Sequence, residues 1–202
     1  MTPMYDPNYG GAFWAAYIVL ILVGLLFAVA AYVLSAIFLR KIFVKAGVPN
    51  PNVAWIPVYN TLIFAKLGDL NPLAFLAAIA AIAASVVLSW IPVLGFVISL
   101  APLAAFVMAA YRVNQKLQKE PVAFTIFAAL LSLIWLGVVA FGQGVWNTAS
   151  KPVAGIAPVP PPPWATVPLL MDTTTWAGVP FQGYAATPKA PPAAPPATPP
   201  AA

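Results

Sequence analysis

The amino-acid sequence predicts an all-α integral membrane protein with four transmembrane helices, a short interfacial or re-entrant helix and a proline-rich extended tail. Of the 202 residues, 62% are hydrophobic and only 6% are charged, whereas a soluble domain carries about 25% charged residues. Fifteen of the 24 prolines fall between Pro152 and Pro200. This shift in composition separates a tail from the apolar part of the chain.

The predicted membrane domain covers residues 12–146, after an outer N-terminal segment at residues 1–11. Its first span, residues 12–39, contains no charge and exceeds the about 20 apolar residues that cross a bilayer. Basic residues follow this run rather than precede it, which predicts a permanent anchor rather than a cleaved signal peptide. The other predicted spans are residues 72–90, 95–111 and 121–146.

Signals for helix ends flank the predicted spans. Asn71 is a favoured N-cap and Pro72 a favoured first helical residue, so a helix is expected to begin there. Gly68 favours the end of the preceding helix. Pro102 predicts a kink in the third span because proline removes a backbone donor.

The basic residues predict the orientation. Seven of the nine lie in the segments that join spans one and two or spans three and four. The positive-inside rule places such segments in the cytoplasm, which predicts a multi-pass cell-membrane protein with both termini outside. The predicted cytoplasmic basic flank consists of Arg40, Lys41, Lys45, Arg112, Lys116 and Lys119, and the seventh residue is Lys66. The positive net charge therefore indicates orientation, and no nucleic-acid partner is predicted.

The stretch NVAWIPVYNTLIFAKLGDLNP, residues 52–72, is apolar but too short to cross. A helix over residues 57–67 would reach only ~16 Å, against a hydrocarbon core of ~30 Å. It is expected to lie at the interface, with Tyr59 and Lys66 facing the headgroups, or to dip in and return. In a second reading, broken backbone near Asn60 and Thr61 lines a path for a small molecule or ion. The motif residues are Trp55, Pro57, Tyr59, Asn60 and Lys66.

The tail, residues 147–202, is predicted to be extracytoplasmic. VPPPP at residues 159–163 and PKAPPAAPPATPP at residues 188–200 favour polyproline II or disorder. Between them lie large apolar groups that predict a partner-docking segment: Trp164, Leu169, Leu170, Met171, Trp176, Phe181 and Tyr184. The alternative is a tail that lies back on the membrane surface.

The chain contains neither cysteine nor histidine, so thiolate chemistry and histidine-based acid–base catalysis are excluded. The four acids Asp6, Asp69, Glu120 and Asp172 all lie outside the predicted spans. Ion-coupled transporters place ionisable groups at membrane depth, so this distribution argues against a coupled transporter. Asp69 and Glu120 are expected to cap helices or to form a surface pair. The sequence predicts no enzyme, no metal and no cofactor.

Residues 44–72, VKAGVPNPNVAWIPVYNTLIFAKLGDLNP, resemble the Lys-Ala-Gly…Trp…Ile-Pro-x-Tyr-Asn motif of an uncharacterised group of small actinobacterial membrane proteins. That group has two following spans joined by a second Ile-Pro turn, similar to IPVLG here, although the usual asparagine is absent. The third span ends in a basic stretch similar to YRVNQKLQKEP. The resemblance covers about residues 40–125 and implies no catalytic residues.

The polytopic architecture with a proline-rich tail is also similar to accessory subunits of the actinobacterial cytochrome bcc–aa3 respiratory supercomplex. This second resemblance implies cytochrome complex subunits as partners. The expected function is therefore a non-catalytic accessory or scaffolding subunit that contacts the lipid bilayer and other integral membrane subunits. The alternatives are a small uncoupled channel or facilitator that uses residues 52–72, and a cell-envelope tether.

Overall fold

The computed structural model describes residues 8–88 and 90–183, and 64% of these residues are helical. No strand occurs among them, which confirms the all-α class. A 3₁₀ turn at Pro51–Trp55 follows the first helix. The α-helices are α1 (Asn8–Ala46), α2 (Tyr59–Leu67), α3 (Pro72–Val87), α4 (Pro92–Ser99), α5 (Ala101–Lys116), α6 (Pro121–Leu130) and α7 (Ser132–Phe141).

The helix ends follow the local sequence. The Asn71 side chain caps α3 by accepting from the backbone N–H of Leu73 at 2.9 Å, and Pro72 is the first helical residue. Glu120 caps α6 in the same way, which confirms its expected role. Gly68 ends α2. The long helix of the third span breaks at Leu100, between α4 and α5.

Within the described part of the chain, two segments are long and apolar enough to cross a membrane: Gly11–Ala46, and Val93–Lys116, which combines most of α4 with α5. Three shorter apolar helices accompany them: α3, α6 and α7. The described residues thus contain two helices that could cross a membrane, and the four predicted spans are not shown.

The predicted fourth span, residues 121–146, is not one helix. It breaks at Leu131, where the backbone turns to φ −135° and ψ 55°. Both arms of this segment contact Asn114, because its Nδ2 donates to Thr125 of α6 and its Oδ1 accepts from Nε1 of Trp135 of α7. After α7 the chain returns to the place where it left α5, because the N–H of Asn147 donates to the carbonyl of Lys116. Helices α6 and α7 therefore form a short hairpin, each arm ~15 Å long, and the prediction of a fourth span over residues 121–146 is wrong.

The motif segment also turns back on itself. After Ala46 the chain runs back along α1, where Arg40 Nε donates to Asn52 Oδ1 at 2.9 Å and the Tyr32 hydroxyl donates to the carbonyl of Trp55 at 2.7 Å. Tyr32 lies ~21 Å along α1 from Ala46. Helix α2 then returns, so residues 47–67 form a turn that packs beside α1.

The core lies at one end of the bundle, at the last turns of α1, α2 and α5, marked by Ala46, Leu67 and Lys116. We call this the basic end. Just behind it, the rings of Phe64, Phe106 and Trp135 pack within 5.7–6.1 Å of one another. By contrast, every residue of α1 from 11 to 30 is exposed. The first half of α1 therefore contacts no other described element closely enough to be buried.

Candidate functional site

The tail folds over the basic end. Leu70, between α2 and α3, forms an antiparallel bridge with Met171. The backbone N–H of Asn71 donates to the carbonyl of Leu170 at 2.8 Å. At the end of α7, the N–H of Asn147 donates to the carbonyl of Lys116 at 2.8 Å. The predicted boundary at residue 147 is thus not a boundary between separate packing units.

Lys66 joins α2 to the tail. Its Nζ lies 2.9 Å from Oδ2 of Asp172 and also donates to the carbonyl of Thr174. Lys66 is only 1% exposed, so the expectation that it reaches headgroups is wrong. Because Lys66 and Asp172 are in contact, the prediction that the basic segments and the tail lie on opposite sides of the membrane is also wrong.

Asp172 is held as a carboxylate. Burial acts to raise its pKa, but hydrogen bonds from Lys66 and from both the hydroxyl and the N–H of Thr174 outweigh burial. The pKa of Asp172 is therefore below its ordinary value of 3.8. At neutral pH this ion pair ties the tail to α2.

A second cluster of charges lies under the tail. Asp69 accepts from Arg112 Nε at 2.8 Å and from Lys116 Nζ at 2.7 Å, and all three residues are fully buried. Asp69 has a left-handed backbone with φ 59°. The expected capping or surface role of Asp69 is wrong, because the carboxylate neutralises two interior cations instead.

Further contacts tie this cluster to the tail and to α2. Arg112 Nη1 donates to the carbonyl of Pro160 at 2.7 Å, and Lys116 Nζ donates to the carbonyl of Leu67 at 2.5 Å. Truncating Asp69 would leave both buried cations without their carboxylate, at a cost of about 3–5 kcal/mol. The cluster therefore fixes the register of α2, α5 and the tail.

The predicted basic flank divides into two sets. Arg112 and Lys116 are fully buried in the cluster with Asp69. The remaining four, at the edge of the basic end, stay exposed or half-buried: Arg40, Lys41, Lys45 and Lys119. Only this second set is placed to meet lipid or solvent.

The motif residues are partly buried. Asn60 is 5% exposed and its Nδ2 donates to the carbonyl of Ala54 at 3.0 Å. The Tyr59 ring packs against Trp176 of the tail, with 5.5 Å between ring centroids. Trp55 and Pro57 are exposed. The motif residues thus form the turn beside α1 and its contact with the tail.

A pocket of about 330 Å³ lies beside this turn. Its polar side chains already donate hydrogen bonds to backbone carbonyls of the same chain. The hydroxyls of Tyr32 and Ser35 donate to Trp55 and Tyr32, respectively. Asn60 donates to Ala54 and Thr61 donates to Val58. Apolar side chains such as Phe64, Phe75 and Leu136 make up the rest of its lining. The pocket therefore offers an apolar wall rather than a chain of free polar groups.

Most predicted docking residues of the tail contact the chain itself. Trp164 is 8% exposed and packs against Tyr111, with 6.3 Å between ring centroids. Leu170, Met171, Trp176 and Phe181 are half-buried, Leu169 is 79% exposed, and Tyr184 lies outside the described residues. This part of the tail is thus largely committed to intramolecular packing.

Two contacts at the basic end were not predicted. Trp146 Nε1 donates to Gln182 Oε1 at 3.0 Å, and Gln182 Nε2 donates to the carbonyl of Ala46 at 3.3 Å. Gln182 is a single amide in a segment rich in small residues, so no local pattern marks it. The roles of Asp69 and Asp172 were missed for a related reason, since their partners lie far away in the sequence.

No group of three or more acidic side chains that could hold a metal ion comes together within the described residues. Comparisons with protein-family models, with curated proteins and with solved structures found no match to this chain. The physical arrangement of the helices and tail is therefore the basis for assigning a function.

Proposed function

We propose that this chain is a non-catalytic accessory subunit of a larger complex in the cell membrane. The observation that best supports the proposal is the bare first half of α1, in which residues 11–30 are exposed on all sides. The first half of this long apolar helix is buried by no other described residue, so its whole surface is available for another subunit. Membrane helices associate through close packing of small residues, and a methyl group placed on Gly24 would meet no atom within 4 Å.

The proposed topology has three crossings. Helix α1 crosses once, and α3 with the α4–α5 pair forms a second and a third crossing. The α6–α7 hairpin enters from the basic end and returns. The positive-inside rule then places the basic end in the cytoplasm, together with the tail residues up to 183, and the N-terminus outside.

The partners we propose are other integral membrane subunits that pack along α1. The resemblance to subunits of the cytochrome bcc–aa3 supercomplex makes cytochrome complex subunits the first candidates. The described tail supports a different role from the one predicted, because it closes the basic end of its own bundle. Attachment to a partner is therefore assigned to α1.

The test is affinity purification of the full chain from native membranes in mild detergent, followed by a native gel and mass spectrometry. Migration with a large assembly, with haem absorbance if the partner is a cytochrome complex, is the expected result. Gly24→Leu should release the chain from the assembly. Thr173→Leu, at an exposed position of the tail outside the bare half of α1, is the control that should remain bound. Migration alone as a small species would overturn the proposal.

A small uncoupled facilitator is the second candidate. It is favoured by the re-entrant segment and by the pocket of about 330 Å³ beside it. Flux of a solute or ion in liposomes that changes in Asn60→Leu would support this function. This function ranks second because the polar side chains that line the pocket already form hydrogen bonds within the chain. A cell-envelope tether would need a tail that lies outside the cell and is free of the helices. Because residues 147–183 pack against the helices, the tether is less favoured than the other two functions.

A further inference from the structure

Several cations meet where α7 ends. Lys45 Nζ donates to the carbonyls of Val139 and Gly142 at 2.9 and 2.6 Å. The last carbonyls of a helix lack partners within the helix and attract cations. Lys41, one turn earlier on α1, places its Nζ 3.9 Å from the ring centroid of Phe141.

Two further lysines reach the same place from other elements. A methyl group built on Gly142 would lie 3.7 Å from Lys119 Nζ, so Lys119 stands beside the end of α7. Lys151 Nζ donates to the carbonyl of Lys45 at 3.3 Å. We call Lys41, Lys45, Lys119 and Lys151 the lysine cluster.

The lysine cluster has no acidic counterpart among the described residues. The basic side chains that form ion pairs with acids in the described part of the chain are Lys66, Arg112 and Lys116, and none of them belongs to the cluster. Glu120, next in sequence to Lys119, directs both carboxylate oxygens to the N–H groups that begin α6. Four like charges at one helix end repel one another, and an anion placed among them would relieve that repulsion.

Two members of the cluster keep free donors. Each of their ammonium groups forms a cation–π contact with an aromatic ring: Lys41 Nζ lies over the Phe141 ring, and Lys119 Nζ lies 5.8 Å from the Phe124 ring centroid. Within residues 8–88 and 90–183, no oxygen accepts a hydrogen bond from either ammonium group. An ammonium group has three donors, so both can bind an external anion without breaking an existing bond.

An apolar seam leads away from the cluster. Helices α1 and α7 meet there through Phe38 and Phe141, with 5.9 Å between ring centroids, and Gly137 lets Phe38 approach closely. Alongside this contact, Ile134 is 56% and Phe141 is 61% exposed. The cations therefore stand at the head of an exposed hydrocarbon surface that points toward the bare half of α1.

We infer that the lysine cluster binds the phosphate of an anionic phospholipid whose acyl chains lie along the seam between α1 and α7. A negatively charged head and an apolar body match the two adjoining surfaces. A soluble phosphate compound would use the same cations but would leave the seam uncovered. The inference depends on insertion of the chain in a membrane and not on the identity of any partner subunit.

Native mass spectrometry of the full chain, purified in detergent with added phosphatidylglycerol or phosphatidylcholine, tests this site. Retention of phosphatidylglycerol over phosphatidylcholine is expected. Lys41→Gln and Lys119→Gln should each reduce that retention about five-fold, the loss expected for one lysine at an anionic surface. The matched control is Arg40→Gln, which removes the same charge one position away, where the guanidinium bonds Asn52, and it should retain lipid like the wild type.

A second arm separates the two sources of phosphate. Inorganic phosphate at millimolar concentration should not displace phosphatidylglycerol, because it cannot occupy the seam. Equal retention by Arg40→Gln and Lys41→Gln, or complete displacement by inorganic phosphate, would overturn the lipid site. Thermal unfolding of each variant without lipid shows whether the fold itself has been disturbed.

Discussion

Lys66 and Asp172 are 106 residues apart in the chain, yet their side chains meet at 2.9 Å in a buried ion pair. The pair joins α2 to the tail. Together with the bridge between Leu70 and Met171, it makes the tail a cover over the basic end. Several testable properties of the fold depend on this cover.

Asp172→Asn should lower the free energy of unfolding by about 1–3 kcal/mol, because it weakens a hydrogen bond from a buried ammonium group. Thermal unfolding of the purified chain in detergent measures this loss. Thr173→Ala, at the exposed neighbouring position, is the control and should unfold like the wild type. In Lys66→Met/Asp172→Asn, part of the stability should return because no charge remains buried alone. Equal unfolding of Asp172→Asn and Thr173→Ala would contradict the role of the pair.

The same pair predicts a specific response to acid. The pKa of Asp172 in the folded chain is below the ordinary 3.8, so its contribution to stability is fully present above that value. The contribution is lost as the pH falls below 3.8 and through the folded pKa. The stability difference between wild type and Asp172→Asn should therefore be constant from pH 7 to about pH 5 and shrink only in stronger acid. A difference that disappears between these two pH values would show that another group controls the tail.

Gly68→Ala should destabilise the contact between α2 and α5. A methyl group at this position would lie 2.5 Å from the Cα of Ala109, and that backbone atom cannot move without shifting α5. Overpacking of this kind costs about 1–3 kcal/mol. Gly24→Ala on α1, where nothing lies within 4 Å, should be neutral or slightly stabilising. Unfolding measurements that find the two variants alike would contradict the close approach of these helices.

The α6–α7 hairpin predicts that the two segments flanking it label from one side. The chain has no native cysteine, so single cysteines can be introduced at Gln118, Ser150 and Trp90, which are exposed. A membrane-impermeant maleimide should reach Gln118→Cys and Ser150→Cys in vesicles of one orientation and Trp90→Cys in the other. Labelling of Gln118→Cys and Ser150→Cys from opposite sides would show that the segment between them crosses the membrane.

Local chemistry made the helix starts predictable. Asn71–Pro72 and Glu120–Pro121 each supply a capping side chain followed by a residue without a backbone donor, and α3 and α6 begin at those prolines. Gly68 marked the end of α2. These signals act within a few residues, so they can be recognised without knowledge of the rest of the fold.

The break at Leu131 could not be predicted in this way. The sequence from Pro121 to Trp146 is apolar, has the length of a full span and contains neither proline nor glycine at the break. Both arms of the resulting hairpin contact Asn114, a residue of α5 that lies outside this stretch of sequence. The partners of Asp69 and Asp172 were hidden for the same reason, because contacts between distant segments are set by the assembled fold.

The separation of Lys66 and Asp172 along the chain also affects the order in which the protein folds during synthesis. At about 5–20 residues per second, a ribosome completes Asp172 roughly 5–20 s after Lys66. During that interval the nascent chain carries an unpaired ammonium group at a position destined for its interior. Closure of the basic end is thus among the last events of biogenesis, and a chain whose translation stops early leaves that end open to the proteases that remove unfinished products.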